Sequence, residues 1–588
     1  MTEQASETPA SPSFLQSLAV FGERRSLVML VLGFASGLPN LLIFDTLSAW
    51  LRTAGLSLSV ISVFSLATLA YSAKFLWAPL VDRTSIPILT NLFGHRRSWM
   101  LVSQVGVLIS LFLISTGNPV TNLGLMALWA VLAGFAGATQ DIVIDAWRIE
   151  AADTSRQGAM ATSYQWGYRV AIIIAGALPL FLSTRVGSWN MAFGLTSALM
   201  LLGMAGVLLA QREQAHVLRP IHVDEVPARP VSDVLEVIIR LLIFVVGGVL
   251  IGSALAAKAD LIAAFLRWLG APEQAAALKA AWESRATGIF YQIAGVLAGF
   301  GIIYAGAVPI PGHPTRPGLY ASRALGEPLV DFFQRYGRRP ATLILALICL
   351  YRVSEFVLNV MNPFYLDLGF SADQVAEARK VFGVAMSLLG VFLGGYSVRR
   401  YGLMRSMVIG AFAGPLSHVG FIYLATQGPD FRALLLAIGM DNIAAGYSGT
   451  CLIAYMSSLT AAGFTATQYA LFSSLYALPG KLLASQSGRI IESSAAAAEG
   501  TGPLASLRSL FANTPVTAFA TSLERSQVSP AALGAGYVTF FIYSIAIGIV
   551  AIVLAFVLQT PADRQPPGAQ DAAAAAPDED AGHVRQTT

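Results

Sequence analysis

The sequence predicts an all-α integral membrane protein, a bundle of many spanning helices. Three observations carry this reading. Of 588 residues, 55% are hydrophobic and only 12% are charged, against about 25% charged in an ordinary soluble domain. Mean hydropathy is +0.64. The apolar residues fall in long runs rather than short alternating segments. That pattern favours helices over a closed barrel, the two structures that satisfy their backbone hydrogen bonds in lipid.

A spanning helix needs about 20 mostly apolar residues. On that rule the spans fall near 26–51, 58–82, 98–116, 122–146, 158–182, 188–210, 239–256, 286–309, 341–364, 376–398, 403–425, 432–457, 467–489 and 535–558, fourteen in all. The first run is too long for a signal-peptide core and lacks a small-residue cleavage site, so it reads as a retained span. One set of loops holds Arg24-Arg25, Arg83 with Arg96-Arg97, Arg148, Arg156, Arg212, Arg219, Arg335 with Arg338-Arg339, and Arg399-Arg400 with Arg405. The alternate loops are poorer in Lys and Arg. The richer set is therefore cytoplasmic, and an even span count puts both termini inside. The basic residues report topology, so the pI near 9.0 implies no nucleic-acid partner. Cys349 and Cys451 both lie in apolar runs, and no disulfide framework is expected.

Between spans, residues 211–238 and 310–340 read as polar, Pro-bearing cytoplasmic linkers bracketing the seventh and eighth spans. Residues 257–285 are Ala-rich with scattered charges and predict an amphipathic helix on the outer face. Residues 490–533 read as an Ala/Ser/Thr-rich outer loop. The tail from Pro561 is rich in Pro, Ala and Asp, which predicts disorder.

Two loops repeat. After the second span come Leu80-Val81-Asp82-Arg83 and then Gly94-His95-Arg96-Arg97. After the tenth come Gly394-Gly395-Tyr396-Ser397-Val398-Arg399-Arg400-Tyr401-Gly402-Leu403-Met404-Arg405. The second resembles the Gly-x3-Arg-Arg-x-Gly-x2-Arg loop signature of the major facilitator superfamily, and the first resembles a stretched version. The resemblance implies a major facilitator fold of two six-helix bundles plus two inserted transmembrane helices, with a solute site between the halves near mid-membrane. The chain then divides into a cytoplasmic segment 1–25, a first bundle 26–210, a linker with two extra spans 211–340, a second bundle 341–558 and a disordered cytoplasmic tail 559–588.

Further strings resemble the AmpG muropeptide permeases, a branch of that superfamily. They are Leu32-Gly33-Phe34-Ala35-Ser36-Gly37-Leu38-Pro39, the run from Tyr71 through Lys74 and Trp77 to Arg83, Ala138-Thr139-Gln140-Asp141-Ile142-Val143-Ile144-Asp145-Ala146-Trp147, Gly167-Tyr168-Arg169, and Phe464-Thr465-Ala466-Thr467-Gln468-Tyr469-Ala470-Leu471. The agreement is dense through the first six spans and patchier afterwards. It implies a bacterial inner-membrane importer of cell-wall turnover products, N-acetylglucosaminyl-1,6-anhydro-N-acetylmuramic acid with or without stem peptides. The family depends on the proton-motive force, and in some bacteria its import feeds induction of a chromosomal β-lactamase. Three places depart from the family pattern. Asp45 replaces a small neutral residue, Arg352-Val353-Ser354-Glu355 replaces Lys-x-Gly-Asp, and Arg379-Lys380 replaces an Asn-Lys pair.

The residues themselves point to transport. A carboxylate in hydrocarbon costs about 2.5 kcal/mol on insertion scales, so charged residues inside spans face a cavity or one another. Arg169, Arg352, Glu355 and Lys481 lie near mid-span, Asp141 and Lys74 nearer the cytoplasm, Asp441 nearer the outside. Arg352 and Glu355 are at i and i+3, so they share a helix face and can pair. Asp141 lies on the helix before that of Arg169, which makes an ion pair between those two geometrically plausible. A glycopeptide substrate presents carboxylates and hydroxyls, and the planar fork of Arg suits carboxylates. Arg169 and Arg352 are thus the leading substrate candidates, with Gln140, Asn442 and Gln468 for sugar or amide groups. Gly37, Tyr71, Lys74, Asp441 and Lys481 complete that set. Proton coupling needs a carboxylate whose pKa can cross neutrality, and Asp141, then Glu355, are the candidates. Asp82, Arg83, Asp145, Arg148, Arg399 and Arg400 read as gating residues. His418, the single histidine within a predicted span, reads as a packing residue.

No Gly-x4-Gly-Lys-Ser/Thr string argues for an ATP-driven pump, and no His-Glu-x2-His or Gly-x-Ser-x-Gly string argues for an enzyme. A carrier of another bulky anion such as acetyl-CoA is the alternative, and a polytopic membrane transferase comes after it. The expected partners are the glycopeptide, protons and the lipid bilayer, with no cofactor or metal and a monomeric state.

Overall fold

The computed structural model describes residues 19–55, 70–71, 73–152, 156–212, 219, 221–284, 287–484, 486–520, 522–523 and 527–559. All regular structure among them is helical. Helix α1 (Arg24–Leu41) runs through a π turn (Leu42–Thr46) into a last short segment, Leu47–Thr53. The short α2 (Ala78–Arg83) leads to α3 (His95–Ser115), α4 (Leu123–Glu150), α5 (Gln157–Val186) and α6 (Trp189–Leu209). Next come α7 (Pro230–Leu255), two short helices α8 (Asp260–Trp268) and α9 (Pro272–Trp282), α10 (Gly288–Ala307) and α11 (Arg316–Tyr336). The second half comprises α12 (Arg338–Asp367), α13 (Asp373–Tyr401), α14 (Leu403–Gln427), α15 (Phe431–Ser458), α16 (Thr465–Leu475), α17 (Ser487–Glu499) and α18 (Pro530–Val557).

Among the described residues, ten helices are long and apolar enough to cross a membrane. They coincide with ten of the fourteen predicted spans. Of the other four, 432–457 is the single helix α15, while 26–51 is interrupted by the π turn. The 467–489 span breaks after Leu475 and resumes as Ala477–Ala484. The predicted 58–82 span lies partly outside the described residues, and residues 1–18 and the tail from 560 lie wholly outside them.

Element ends follow local chemistry. The Ser371 hydroxyl accepts from the Gln374 amide at 3.2 Å while the Gln374 side chain accepts from Ser371 at 3.0 Å, closing a capping box at the start of α13. Asp430 caps α15, accepting from the Arg432 amide at 2.7 Å. The repeated loops share a backbone device. Gly94 (φ 95°, ψ 168°) starts α3 and Gly402 (φ 84°, ψ 164°) starts α14. That region of φ/ψ is open essentially to glycine alone, so the same glycine turn recurs at the same place in each half.

In the first half α1 lies along α5. Gly33 faces the Tyr164 backbone and Gly167 faces the Leu30 carbonyl, in both cases closer than any Cβ would allow. Small residues let backbones approach where lipid supplies no hydrophobic drive. A Gly167→Ala change therefore forces α1 and α5 apart. We expect it to cost about 1–3 kcal/mol, the range for overpacking, read as a lowered melting temperature in detergent. An unchanged melting temperature would contradict the packing. In the second half α13 packs on α15 and α14 on α18, while α5 meets α13 between the halves. The inserted helices α7 and α10 pack on each other, with Gly247 against the Gly299 backbone.

Three segments differ from the sequence reading. The 257–285 stretch is two short helices separated by Gly270 (φ 81°), because that glycine turn ends α8. The predicted 310–340 linker holds the 21-residue helix α11, capped by Thr315, which accepts from the Gly318 amide. Its polar composition hides an apolar stripe, Ala324, Pro328 and Phe332, all buried at four-residue spacing. The 490–533 stretch carries α17 and a 3₁₀ helix, Pro503–Phe511. Ile491, Ala495, Phe511 and Phe519 are buried there in one core with Tyr537 and Phe541 of α18.

Candidate central cavity and its seal

Helix α12 breaks about midway along its length. Arg352 has φ −113° and ψ 17°, outside helical values, and Leu358 departs again with ψ 22°. The break turns Arg352 and Glu355 into a cavity of about 890 Å³. Its wall carries Arg169 from α5, Arg379 and Lys380 from a π turn in α13, and Asp441 and Asn442 from α15. Four cations there face two carboxylates, with Tyr365 and Phe356 adding aromatic surface. The cavity runs from the level of Arg169 toward the ends of α12 and α13 at Leu366 and Val375, away from the Arg-rich end of the bundle.

The predicted Arg352–Glu355 pair forms. Glu355 Oε2 accepts from Arg352 Nε at 2.8 Å and from Nη2 at 2.5 Å. Ser448 donates to Oε1 at 2.6 Å, so both Glu355 oxygens are engaged. Arg379 donates to Asn362. Arg169 is different: among the described residues its guanidinium has no acceptor, and Arg352 is close enough to act on it as a like charge. A guanidinium left without a partner in a cavity is ready for an anion.

The expected Asp141–Arg169 pair does not form. Asp141 instead faces α1, where Ser36 donates to it at 2.5 Å, and Ser36 also meets the Tyr164 hydroxyl at 2.9 Å. The cation acting on Asp141 is Lys74, itself buried in a 3₁₀ turn. Chain neighbours fix which helices are adjacent but not their rotation. Here α4 turns its carboxylate to α1 while α5 turns Arg169 to the second half.

Toward the Arg-rich end the halves close on each other. Gln165 donates to Thr450 at 2.6 Å, Thr162 to the Val391 carbonyl at 3.1 Å and Trp166 to the Leu388 carbonyl at 3.0 Å. Below them Asp82 of the first half caps α16 of the second, accepting from the Thr467 amide at 2.8 Å, its hydroxyl at 2.7 Å and the Ala466 amide at 3.1 Å. A carboxylate at a helix N-terminus also meets the positive end of the dipole. Arg96 bonds Asp82 at 2.8 Å and Glu150 at 2.6 Å, and neither Asp82 nor Arg96 is exposed. Arg148 pairs with Asp145 at 3.3 Å, donates to Ser457 at 2.9 Å and lies over the Tyr469 ring. Helix α11 lies across this end: Glu327 pairs with Arg83 at 2.9 Å, and Arg335 donates to the Leu459 carbonyl at 3.0 Å.

The remaining predicted site residues are placed as follows. Gln468 stands in the seal, bonded to Arg335, Asp331 and the Pro328 carbonyl of α11, and not in the cavity wall. Gly37 is buried, where a Cβ would meet the Tyr168 carbonyl at 2.8 Å, so it serves helix approach. The Tyr71 hydroxyl packs against Gly137 of α4. Gln140 is fully buried with both amide atoms unbonded. Lys481 is exposed and outside the cavity wall. Arg400 lies over Tyr401, and Arg399 is half-buried beside it. The Asp45 side chain lies outside the described residues. Sequence reasoning missed Glu150, Ser457 and Glu327 as parts of the seal. The spacing of apolar residues in α11 was the signal for the last of these.

The family model described as Major Facilitator Superfamily matches residues 26–282. The chain is 26% identical over 474 residues to a protein of Rickettsia conorii named putative transporter AmpG 4, covering 80% of this chain and 91% of that one. It is 28% identical over 465 residues to the anhydromuropeptide permease of Escherichia coli K12, covering 79% and 73%. A solved structure of the proton:xylose symporter XylE aligns with a TM-score of 0.51 at 15% identity, over 95% of this chain and 99% of that one. That likeness concerns the fold alone. Repeated glycine turns, a cavity between two helical halves and these relatives agree: the chain resembles the major facilitator superfamily over its first half and is similar along most of its length to the AmpG permeases.

Proposed function

We propose that the protein is a carrier in the bacterial inner membrane, with both termini cytoplasmic. In this reading it imports N-acetylglucosaminyl-1,6-anhydro-N-acetylmuramic acid, with or without stem peptides, by proton symport and alternating access. The observation that carries it is the cavity between the halves, where cations exceed carboxylates and Arg169 has no partner among the described residues. Its volume, about 890 Å³, suits a ligand of drug size or larger. Arg169 binds a substrate carboxylate, and Arg352, freed from Glu355, binds a second acceptor. The sealed Arg-rich end, on the cytoplasmic side in this orientation, makes the present state one that receives substrate from outside. Asp141 and Glu355 carry the proton, Asp141 in its pocket beside Lys74 and Glu355 by exchanging Arg352 for a proton. The protein acts as a monomer.

The same excess of cations also suits another bulky anion such as acetyl-CoA, so the test includes both. In proteoliposomes, labelled anhydro-disaccharide should accumulate saturably and labelled acetyl-CoA should not. Arg169→Gln should raise KM about tenfold or more, since hydrogen bonds to charged groups contribute about 1.5–3 kcal/mol. Accumulation of acetyl-CoA alone, or an unchanged KM in the variant, would overturn the assignment.

A further inference from the structure

His418 is fully buried on α14, and its two ring nitrogens have different fates. Nδ1 lies 2.9 Å from Ser544 Oγ of α18. The Ser544 hydroxyl spends its single proton on the Phe541 carbonyl at 2.7 Å. Ser544 Oγ therefore accepts, and Nδ1 carries the hydrogen. The neutral ring then has a bare lone pair on Nε2, which has no hydrogen-bond partner. That lone pair looks toward Asp441 Oδ1 of α15, 4.0 Å away. Asp441 lines the cavity and makes no hydrogen bond among the described residues.

Two acceptors thus face each other with no donor between them. The other groups that face Asp441 do not supply one. Arg352 and Glu355 of α12 are bonded to each other. Arg379 of α13 is bonded to Asn362. Tyr365 of α12 lies near enough to act on the carboxylate without bonding it. His418 itself meets Asp441, Ser544 and the apolar Phe421 ring. A buried unmet acceptor is costly, and one proton would satisfy both partners.

We propose that Asp441 and His418 form a proton-binding site that takes one proton from the central cavity and holds it between Oδ1 and Nε2. The proton adds to Oδ1, the Asp441 side chain closes the 4.0 Å gap by about 1 Å so that the new O–H reaches the Nε2 lone pair, and Nδ1–H stays on Ser544. This gives the second half a proton site of its own, apart from Asp141, and it rests on the proton-driven reading above only for its use in transport.

The test reads the proton without substrate. Infrared spectra of the purified protein in liposomes, taken over a pH series, follow the C=O stretch of protonated carboxyls. Asp441→Asn should lose one such band, and Asp441→Glu should restore it. His418→Asn keeps a donor to Ser544 but removes Nε2. It should weaken the same band at neutral pH, because the acid loses the acceptor that holds its proton. Since the two groups share one proton, the double variant should lose no more than Asp441→Asn alone. Thermal melting in detergent certifies folding of each variant, and where Asp441→Asn fails that check the His418→Asn spectrum decides. An intact band in Asp441→Asn, or an unaltered band in His418→Asn, would overturn the proposal. Absence of proton-coupled uptake in the wild type would sink the importer reading and leave the band untouched.

Discussion

Replacing Asp141 with Asn should abolish uphill uptake while leaving exchange of substrate across the membrane. Asp141 is a carboxylate on a spanning helix, held by the Ser36 hydroxyl at 2.5 Å and by the field of Lys74. It lies outside the cavity wall, so its loss does not remove a substrate contact. Asn keeps the shape and the acceptor for Ser36 but cannot exchange a proton at neutral pH. A symporter without its proton site still rocks with substrate bound, which exchange reads, but cannot draw on the proton gradient. In proteoliposomes with an imposed pH gradient, the accumulation ratio should fall to about one, since coupling is the difference in free energy that drives the shift. Wild-type concentrative uptake in this variant would remove Asp141 from the mechanism.

Asp82→Ala should open the sealed end. The carboxylate caps α16 across the two halves through three hydrogen bonds and also holds Arg96. Arg96 lies in the same half as Asp82, so that pair persists when the seal opens; the sealed state alone loses the cap on α16, about 1.5–3 kcal/mol for hydrogen bonds to a charged group. That is about one to two orders of magnitude in the ratio of sealed to open molecules. A cysteine at Leu459, a side chain 5% exposed in the seal, reports it. In inside-out vesicles an impermeant maleimide should label Leu459→Cys rapidly in the Asp82→Ala background and slowly otherwise. Equal labelling rates would show that Asp82 does not hold the seal.

Much of the fold was legible because lipid makes helical runs long and uniform. The loop glycines were legible as well: Gly94 and Gly402 stand at matching places and adopt matching backbone angles. The Arg352–Glu355 pair followed from i, i+3 spacing alone, but the break in α12 that aims it at the cavity did not. Rotation about helix axes was not legible, which is why Asp141 meets Ser36 rather than Arg169. Helix α11 was hidden by its polar composition, and with it the place of Gln468, whose amide is taken up by α11. Arg379 and Lys380 were noted only as a departure from the family pattern. Their place in the cavity wall depends on a π turn that local sequence does not announce.

The central claim is that two helical halves rock about the cavity, closing one end while opening the other. Spin labels at Leu80 on α2 and Tyr401 at the end of α13, both exposed at the Arg-rich end, measure it by electron–electron distance in a background lacking Cys349 and Cys451. With the anhydro-disaccharide and low external pH, a second, longer distance should appear and grow at the expense of the first. A single distance, unmoved by substrate and pH in protein that still transports, would contradict the account.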